Sequence, residues 1–298
     1  MRRPNFFIVG ASKSGTSSLW RYLCANPEVF MPTDVLDKEP AFFSPLKCRR
    51  SYRQYADLFA GAEDRHIRVG EASTAYLTDP SSARNIFNFN PHSNILIILR
   101  NPADRAYSMF NWMAQEGYEY ALNFKQALRL ERKRSAKKIP NYWEPEYYWD
   151  YMYVRSGLYH DQVKRYLDLF GDQVRVMKFD DFVADFETVY AGICRFLGIS
   201  VNPVVPEIHN PSRSVYLPTI QFGLRKLYTR MLLFRMKHSG YRYTSKDDRD
   251  RLLKIGVRRS RPSRIDSDLR RDLLDRFRHD IYRLTDLTGI SFNEWTDE

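Results

Sequence analysis

The chain of 298 residues has no run of eighteen apolar residues, so nothing in it reads as a membrane-spanning helix. Its opening, "MRRPNFFIVG", has only four apolar residues in a row before Gly10, too few for the core of a secretory leader. Cysteine is scarce: Cys24, Cys48 and Cys194 are three, an odd number, and lie far apart. They form neither a disulfide framework nor a zinc-ligand spacing, and they suit a reducing compartment as small buried hydrophobes. Internal repeats and low-complexity tracts are missing too. Apolar residues make up 43% of the chain, enough for a core and too many for disorder.

Acidic residues are short by eleven, but only in one place. Between Arg225 and Arg264 stand fourteen Lys and Arg against three Asp, and the other 258 residues carry thirty-three of each sign. The net charge of +11 therefore belongs to one segment. That argues for a local anionic partner and against nucleic acid spread over the surface.

Short β-type runs alternate with helical patterns. "NFFIV" (5–9), "IRVGE" (67–71), "NILIILR" (94–100) and "QVRVMKF" (173–179) read as strands. Helical periods cover 103–116, 156–170 and 185–197. This alternation predicts an α/β fold with a parallel central sheet and helices on both faces. "NYWEPEYYWDYMYV" (141–154) reads as a packed aromatic loop. Residues 219–238 read as an amphipathic helix, with Ile220, Leu224, Leu227, Met231 and Phe234 on one face and Lys226, Arg230 and Lys237 on another. A long C-terminal helix follows, with an Asp or Ser cap and Gly289 as its stop.

One expected residue is missing from the stretch "FFIVGASKSGTSSLW" (6–20). A strand, a glycine loop and a helix start make a phosphate cradle, but the ATP and GTP version puts lysine directly after its second glycine. Here Thr16 follows Gly15, and the cation, Lys13, sits inside the loop. The acid that would hold Mg²⁺ at a neighbouring strand end is also missing: "ILIILRNP" ends in Arg100. A cation there predicts a second anion and no metal. Ser108, eight residues on, can share it. A ligand with a 5′-anion and a 3′-phosphate fits this pattern, and ATP does not.

With those residues in view, "GASKSGTSSLW", "KEPAFF", "ILRNPADRAYSMF" and "LTGISFNEW" resemble the sulfotransferases that use 3′-phosphoadenosine 5′-phosphosulfate (PAPS), most of all the heparan-sulfate-type and related bacterial enzymes. The resemblance runs from 5 to 295 and is weakest over 219–264. It implies a P-loop-containing three-layer fold and a single domain, 1–298, with the basic amphipathic segment 219–264 inserted before the C-terminal helix. It further implies that Lys13, Ser14, Gly15, Thr16 and Ser17 hold the 5′-phosphosulfate, and that Arg100 and Ser108 hold the 3′-phosphate. Lys13 would stabilise the leaving phosphate, and Glu39, in the pattern E-x-x-F-F, would be the base for an acceptor hydroxyl. The aromatic neighbours Phe42 and Phe43 lead one to expect a raised Glu39 pKa. His160 and His66 are the rival bases.

Two positions depart from the relatives: Ala41 where many have histidine, and Ala72 where heparan-type enzymes have lysine. Both are acceptor-side. Glu71 and Tyr76 can line the cleft, Arg155 and Ser156 can make polar contacts, and Arg213 falls where relatives cover the 3′-phosphate and adenine. The basic segment is either a solvated helix face or a contact to an anionic membrane. The expectation is a cytoplasmic PAPS-dependent enzyme, peripheral to the membrane if that contact forms. A P-loop kinase-like phosphotransferase and a non-catalytic anion- or membrane-binding protein are the alternatives.

Overall fold

The run of apolar residues at 94–99 becomes a strand, β4 (Asn94–Leu99), in which every residue from Ile95 to Leu99 is buried. A strand covered on both faces needs apolar side chains at every position, so it shows no alternation. The same holds for β1 (Phe6–Gly10). With β2 (Val29–Phe30), β3 (Arg68–Ala72) and β5 (Val174–Lys178) they form one sheet in the order β2-β3-β1-β4-β5. Every neighbouring pair is parallel. The structure, a computed structural model, describes residues 2–34, 37–48, 50–136, 148–204, 214–215, 222–227, 257–258 and 264–296.

Parallel neighbours need crossovers, and helices supply them: α1 (Thr16–Cys24), α2 (Tyr52–Asp57), α3 (Ala75–Thr78), α4 (Ser82–Phe89), α5 (Pro102–Gln115), α6 (Phe124–Ala136), α7 (His160–Phe170), α8 (Phe179–Ala184) and α9 (Phe186–Leu197). Phe6, Ile8, Leu96 and Ile98 share one core with Leu19 and Leu23 of α1 and with Ile193 and Leu197 of α9. Phe7 points to the opposite face, where its ring lies 5.7 Å from Phe43 and 6.5 Å from Tyr76 of α3. The sheet is thus covered on both sides, as the strand pattern predicts. Gly70 pairs with Phe6 in register, and a β-carbon there would lie 2.4 Å from the Phe6 ring. Glycine is what lets that ring lie across β3.

Helix ends follow local chemistry. Asp185 caps α9 by accepting from the Thr188 N–H at 3.2 Å, which splits the expected 185–197 helix from α8. The expected 156–170 helix begins only at His160, after a 3₁₀ turn at Arg155–Gly157. The C-terminal helix, Ser267–Thr288, is capped by Asp266 and stops at Gly289 in the left-handed region, φ 67°. Of the basic segment 219–264, the described residues are 222–227, which are helical, 257–258 and Arg264; the rest of that expectation lies outside them. No helix among the described residues is long and apolar enough to cross a membrane.

The chain divides into two compact units. The first, 1–105, 156–209 and 273–298, contains the five-stranded sheet. The second, 106–155 and 210–272, includes α6 and an antiparallel pair, β6 (Ser214–Val215) with β7 (Val257–Arg258). Its interior holds an ion pair. Arg134 donates to both oxygens of fully buried Glu119 at 2.8 and 2.9 Å, and Tyr153 adds a third bond at 2.7 Å. Burial pushes the Glu119 carboxyl up, but the Arg134 guanidinium outweighs it and holds the group below the usual carboxylate range.

Candidate active site

The sheet order places β3 on one flank of β1 and β4 on the other. Loops leaving the carboxyl ends of such strands diverge and open a crevice. Three segments reach that edge of the first unit: 11–15 after β1, 73–74 after β3 and 100–101 after β4. The loop after β1 is tightly wound. Lys13 has φ 69° and Gly15 φ 86°, both left-handed. Holding a non-glycine residue there costs about 1–2 kcal/mol, so the surroundings enforce this loop shape. Gly15 precedes α1 as its N-cap, and a β-carbon on it would lie 3.0 Å from the Phe179 ring.

The loop's polar groups suit an anion. The Ser18 and Leu19 N–H groups donate to the Gly15 carbonyl at 3.0 and 3.1 Å, so the amides of 15–17 ahead of them lie at the positive end of the helix dipole. Ser14 is fully buried, yet its hydroxyl has no hydrogen-bond partner. A hydroxyl buried without a partner in a glycine-turned loop fits a phosphate-type ligand. Thr16 is buried beside it. Arg100, at the end of β4, comes to this loop: its Nη1 donates to the Lys13 carbonyl at 3.3 Å, and its guanidinium lies 5.0 Å from the Phe179 ring centre. Residues 13 and 100, far apart in sequence, therefore meet.

Glu39 approaches from the next segment. Lys38 donates to Ser17 Oγ at 2.7 Å and stands 3.4 Å from Glu39 Oε1, with its side chain only 9% exposed. The Lys38 ammonium also faces the Trp20 ring at 5.8 Å. Thr74 donates to Glu39 Oε2 at 3.0 Å, and Lys47 lies 4.0 Å from the same oxygen. The expected rise in the Glu39 pKa is overturned by this setting. Burial does push the carboxyl up, but Lys38, then Lys47, with the Thr74 hydroxyl, together hold it below the usual range. Glu39 is therefore an ionised carboxylate at neutral pH. It also makes the simple pairing with Lys38 that adjacency allows.

Near Glu39, the carboxyl that burial raises is Glu71, in β3. It is fully buried and pushed up to about 7 by that burial, with the nearby Glu39 adding to the rise and three hydroxyl donors opposing it. Ser108 is half-buried on α5, in the second unit. Arg213 lies outside the described residues. His160 is held by Asp161 at 2.6 Å and by Asp280, which accepts its backbone N–H at 3.1 Å. His66 accepts the Glu63 N–H at 2.8 Å and packs on Phe30. Both histidines thus have structural partners. Arg155 stacks on Trp149 at 5.3 Å, and Ser156 is buried. Sequence reasoning passed over Thr74, Ser73 and Tyr55, and saw in Lys38 only an ion-pair partner for Glu39. Lys38 had one available signal, a lysine directly before the glutamate in "KEPAFF".

The sulfotransferase domain family matches residues 3–214 of this chain. The crystal structure of a sulfotransferase from Alicyclobacillus acidocaldarius superposes with a TM-score of 0.72 at 30% identity, covering 99% of both chains. Among curated proteins, the bifunctional heparan sulfate N-deacetylase/N-sulfotransferase 1 of Caenorhabditis briggsae is 31% identical over 114 residues. The human N-deacetylase/N-sulfotransferase 2 is 30% identical over 126 residues. These matches span 38% and 41% of this chain but only 13% and 14% of the relatives. The membrane-associated sulfotransferase kil1 of Dictyostelium discoideum is 26% identical over 114 residues, or 38% of this chain and 23% of its own.

Proposed function

Because the chain belongs to the sulfotransferase domain family, we propose that it moves a sulfuryl group from PAPS to an acceptor hydroxyl on a carbohydrate, lipid or small molecule. The observation that carries this reading is the meeting of Lys13, Arg100 and the orphaned Ser14 hydroxyl at one loop, with Lys38 linking that loop to Glu39. The loop amides, Ser14, Thr16 and Ser17 bind the 5′-phosphosulfate. Lys13 faces the oxygen that gains charge as the sulfur–oxygen bond to the nucleotide breaks, where a cation stabilises the transition state more than the ground state. Arg100 serves the 3′-phosphate, the role that the sequence pattern also assigns to Ser108 and Arg213. Glu39 takes the acceptor proton while the acceptor oxygen bonds sulfur, and adenosine 3′,5′-bisphosphate leaves. Lys38 keeps Glu39 ionised, and so ready to accept that proton. The bond from Lys38 to Ser17 ties this base to the donor loop.

The test has two stages. Calorimetry with adenosine 3′,5′-bisphosphate, set against ATP with Mg²⁺, comes first. Binding of the bisphosphate alone supports the reading, and binding of ATP alone returns it to the kinase-like alternative. A mass-spectrometric panel with labelled PAPS follows, using sugar, lipid and phenol hydroxyls and glucosamine amines. Ala41 and Ala72 stand at acceptor positions, so the panel includes uncharged acceptors. Nucleotide binding without turnover on any of them, for wild type as for Glu39→Gln, favours a non-catalytic anion-binding protein.

A further inference from the structure

Glu71 lies outside the chemistry just proposed, yet it stands beneath the turn that carries Glu39. Its Oε1 accepts from the hydroxyls of Tyr55 and Tyr76, each at 2.8 Å, and its Oε2 accepts from Ser73 at 2.6 Å. A hydroxyl that donates inward turns its lone pairs outward. Two of these oxygens then receive backbone N–H groups: Ser73 Oγ from Ala41 at 3.0 Å, and Tyr76 Oη from Phe43 at 3.3 Å. The third donor, Tyr55, stacks its ring on Phe42 with centroids 4.4 Å apart and planes 13° from parallel. All three partners of Glu71 therefore grip consecutive residues of the turn that follows Glu39. That turn needs a grip, because Ala41 has φ 50°, where a residue with a β-carbon is disfavoured.

We propose that Glu71 is a positioning residue that fixes the 39–43 turn, and with it the Glu39 carboxylate, through the polarity of the Ser73 and Tyr76 hydroxyls. The inference rests on Glu39 being the base. Only the ionised carboxylate receives three donors at once. A protonated Glu71 must donate, so the hydroxyl it faces must turn its own proton away and keeps one free lone pair for the turn where it had two. The groups facing Glu71 are Tyr55 from α2, Ser73, Tyr76 from α3 and Glu39 from the turn, which is itself paired with Lys38 and Lys47. The anchorage is therefore strongest above neutrality and loosens as Glu71 takes up a proton.

Hydrogen exchange of the peptide covering 39–44 reads this directly and needs no acceptor, with β1 and β4 as internal references. In Glu71→Gln the amide can still accept from the two tyrosines, but its NH₂ opposes the Ser73 hydroxyl. Exchange in 39–44 is expected to rise about tenfold, the scale of one lost hydrogen bond, with the reference strands unchanged. Wild-type protection, corrected for intrinsic rates, is expected to fall between pH 8 and pH 6, and that of the variant to stay flat. Unchanged exchange at 39–44 overturns the proposal, and so does a rise shared equally by β1 and β4. If Glu71→Gln does not fold, Ser73→Ala and Tyr76→Phe take its place. Each is expected to free one deuteron-exchanging amide of the turn, and neither doing so overturns the proposal. Glu39→Gln separates the two readings. It is expected to lose turnover with the panel-selected acceptor while keeping wild-type protection of the turn. If it turns over like wild type, the base assignment alone falls.

Discussion

Replacing Glu71 with glutamine should change how stability depends on pH, and the structure sets the size of the effect. Burial raises the carboxyl from 4.5 to about 7. A group raised on folding binds its proton more tightly in the folded chain. Its favourable contribution is full below the unfolded value and is lost as pH climbs through the folded one. A displacement of that size corresponds to about 3 kcal/mol between pH 4.5 and pH 8. Glutamine cannot ionise, so the variant escapes this loss. It carries instead a roughly constant penalty of about 1–3 kcal/mol, because its NH₂ faces the Ser73 hydroxyl. The stability difference, variant minus wild type, should therefore climb by about 3 kcal/mol from pH 4.5 to pH 8. Urea unfolding at five pH values measures it, and the other titrating groups largely cancel in the difference. A difference that stays level with pH would show that Glu71 is ionised throughout, and the burial argument would be wrong.

Three further outcomes follow from single contacts. Ser14→Ala removes a hydroxyl that is buried without a partner; the free protein should melt at or slightly above the wild-type temperature, while calorimetry should show about 10- to 150-fold weaker adenosine 3′,5′-bisphosphate binding, the worth of one charge-assisted bond. Lys38→Met removes the strongest partner lowering the Glu39 pKa, so the acid limb of the pH–rate profile should move to higher pH. Glu39, depressed in the folded chain, stabilises above its unfolded value and loses that as pH falls, so Lys38→Met should also weaken folding at pH 7 more than at pH 4. Arg134→Met strands the fully buried Glu119 carboxylate; urea unfolding should show a loss of about 3–5 kcal/mol, and a loss under 1 kcal/mol would mean that Glu119 protonates at little cost.

What was legible in the sequence depended on the range of the cause. The apolar run of β4, the cap at Asp266 and the stop at Gly289 are local, and the structure agrees with each. The short helices α2, α3 and α4, of four to eight residues, are too brief for a period to emerge and are held by packing instead. The same split runs through the site. The glycine positions, Lys13 and Arg100 are local signals at strand ends, where parallel sheets gather ligands. The pKa of Glu39 was misjudged because Phe42 and Phe43 follow it in sequence. In the turn those rings point away, one onto Tyr55 and the other toward Phe7 and Tyr76. The face of Glu39 is instead built by Lys38, Lys47 and Thr74, the last 35 residues distant. Glu71, which the sequence offered only as a cleft residue, takes its hydroxyl partners from 55, 73 and 76. Neighbours along a tight turn report what its backbone is packed against. The charge state of its side chain is decided by residues that only the fold brings near, so the carboxylate beside the aromatic pair stays ionised while the one beneath it takes up the proton near neutrality.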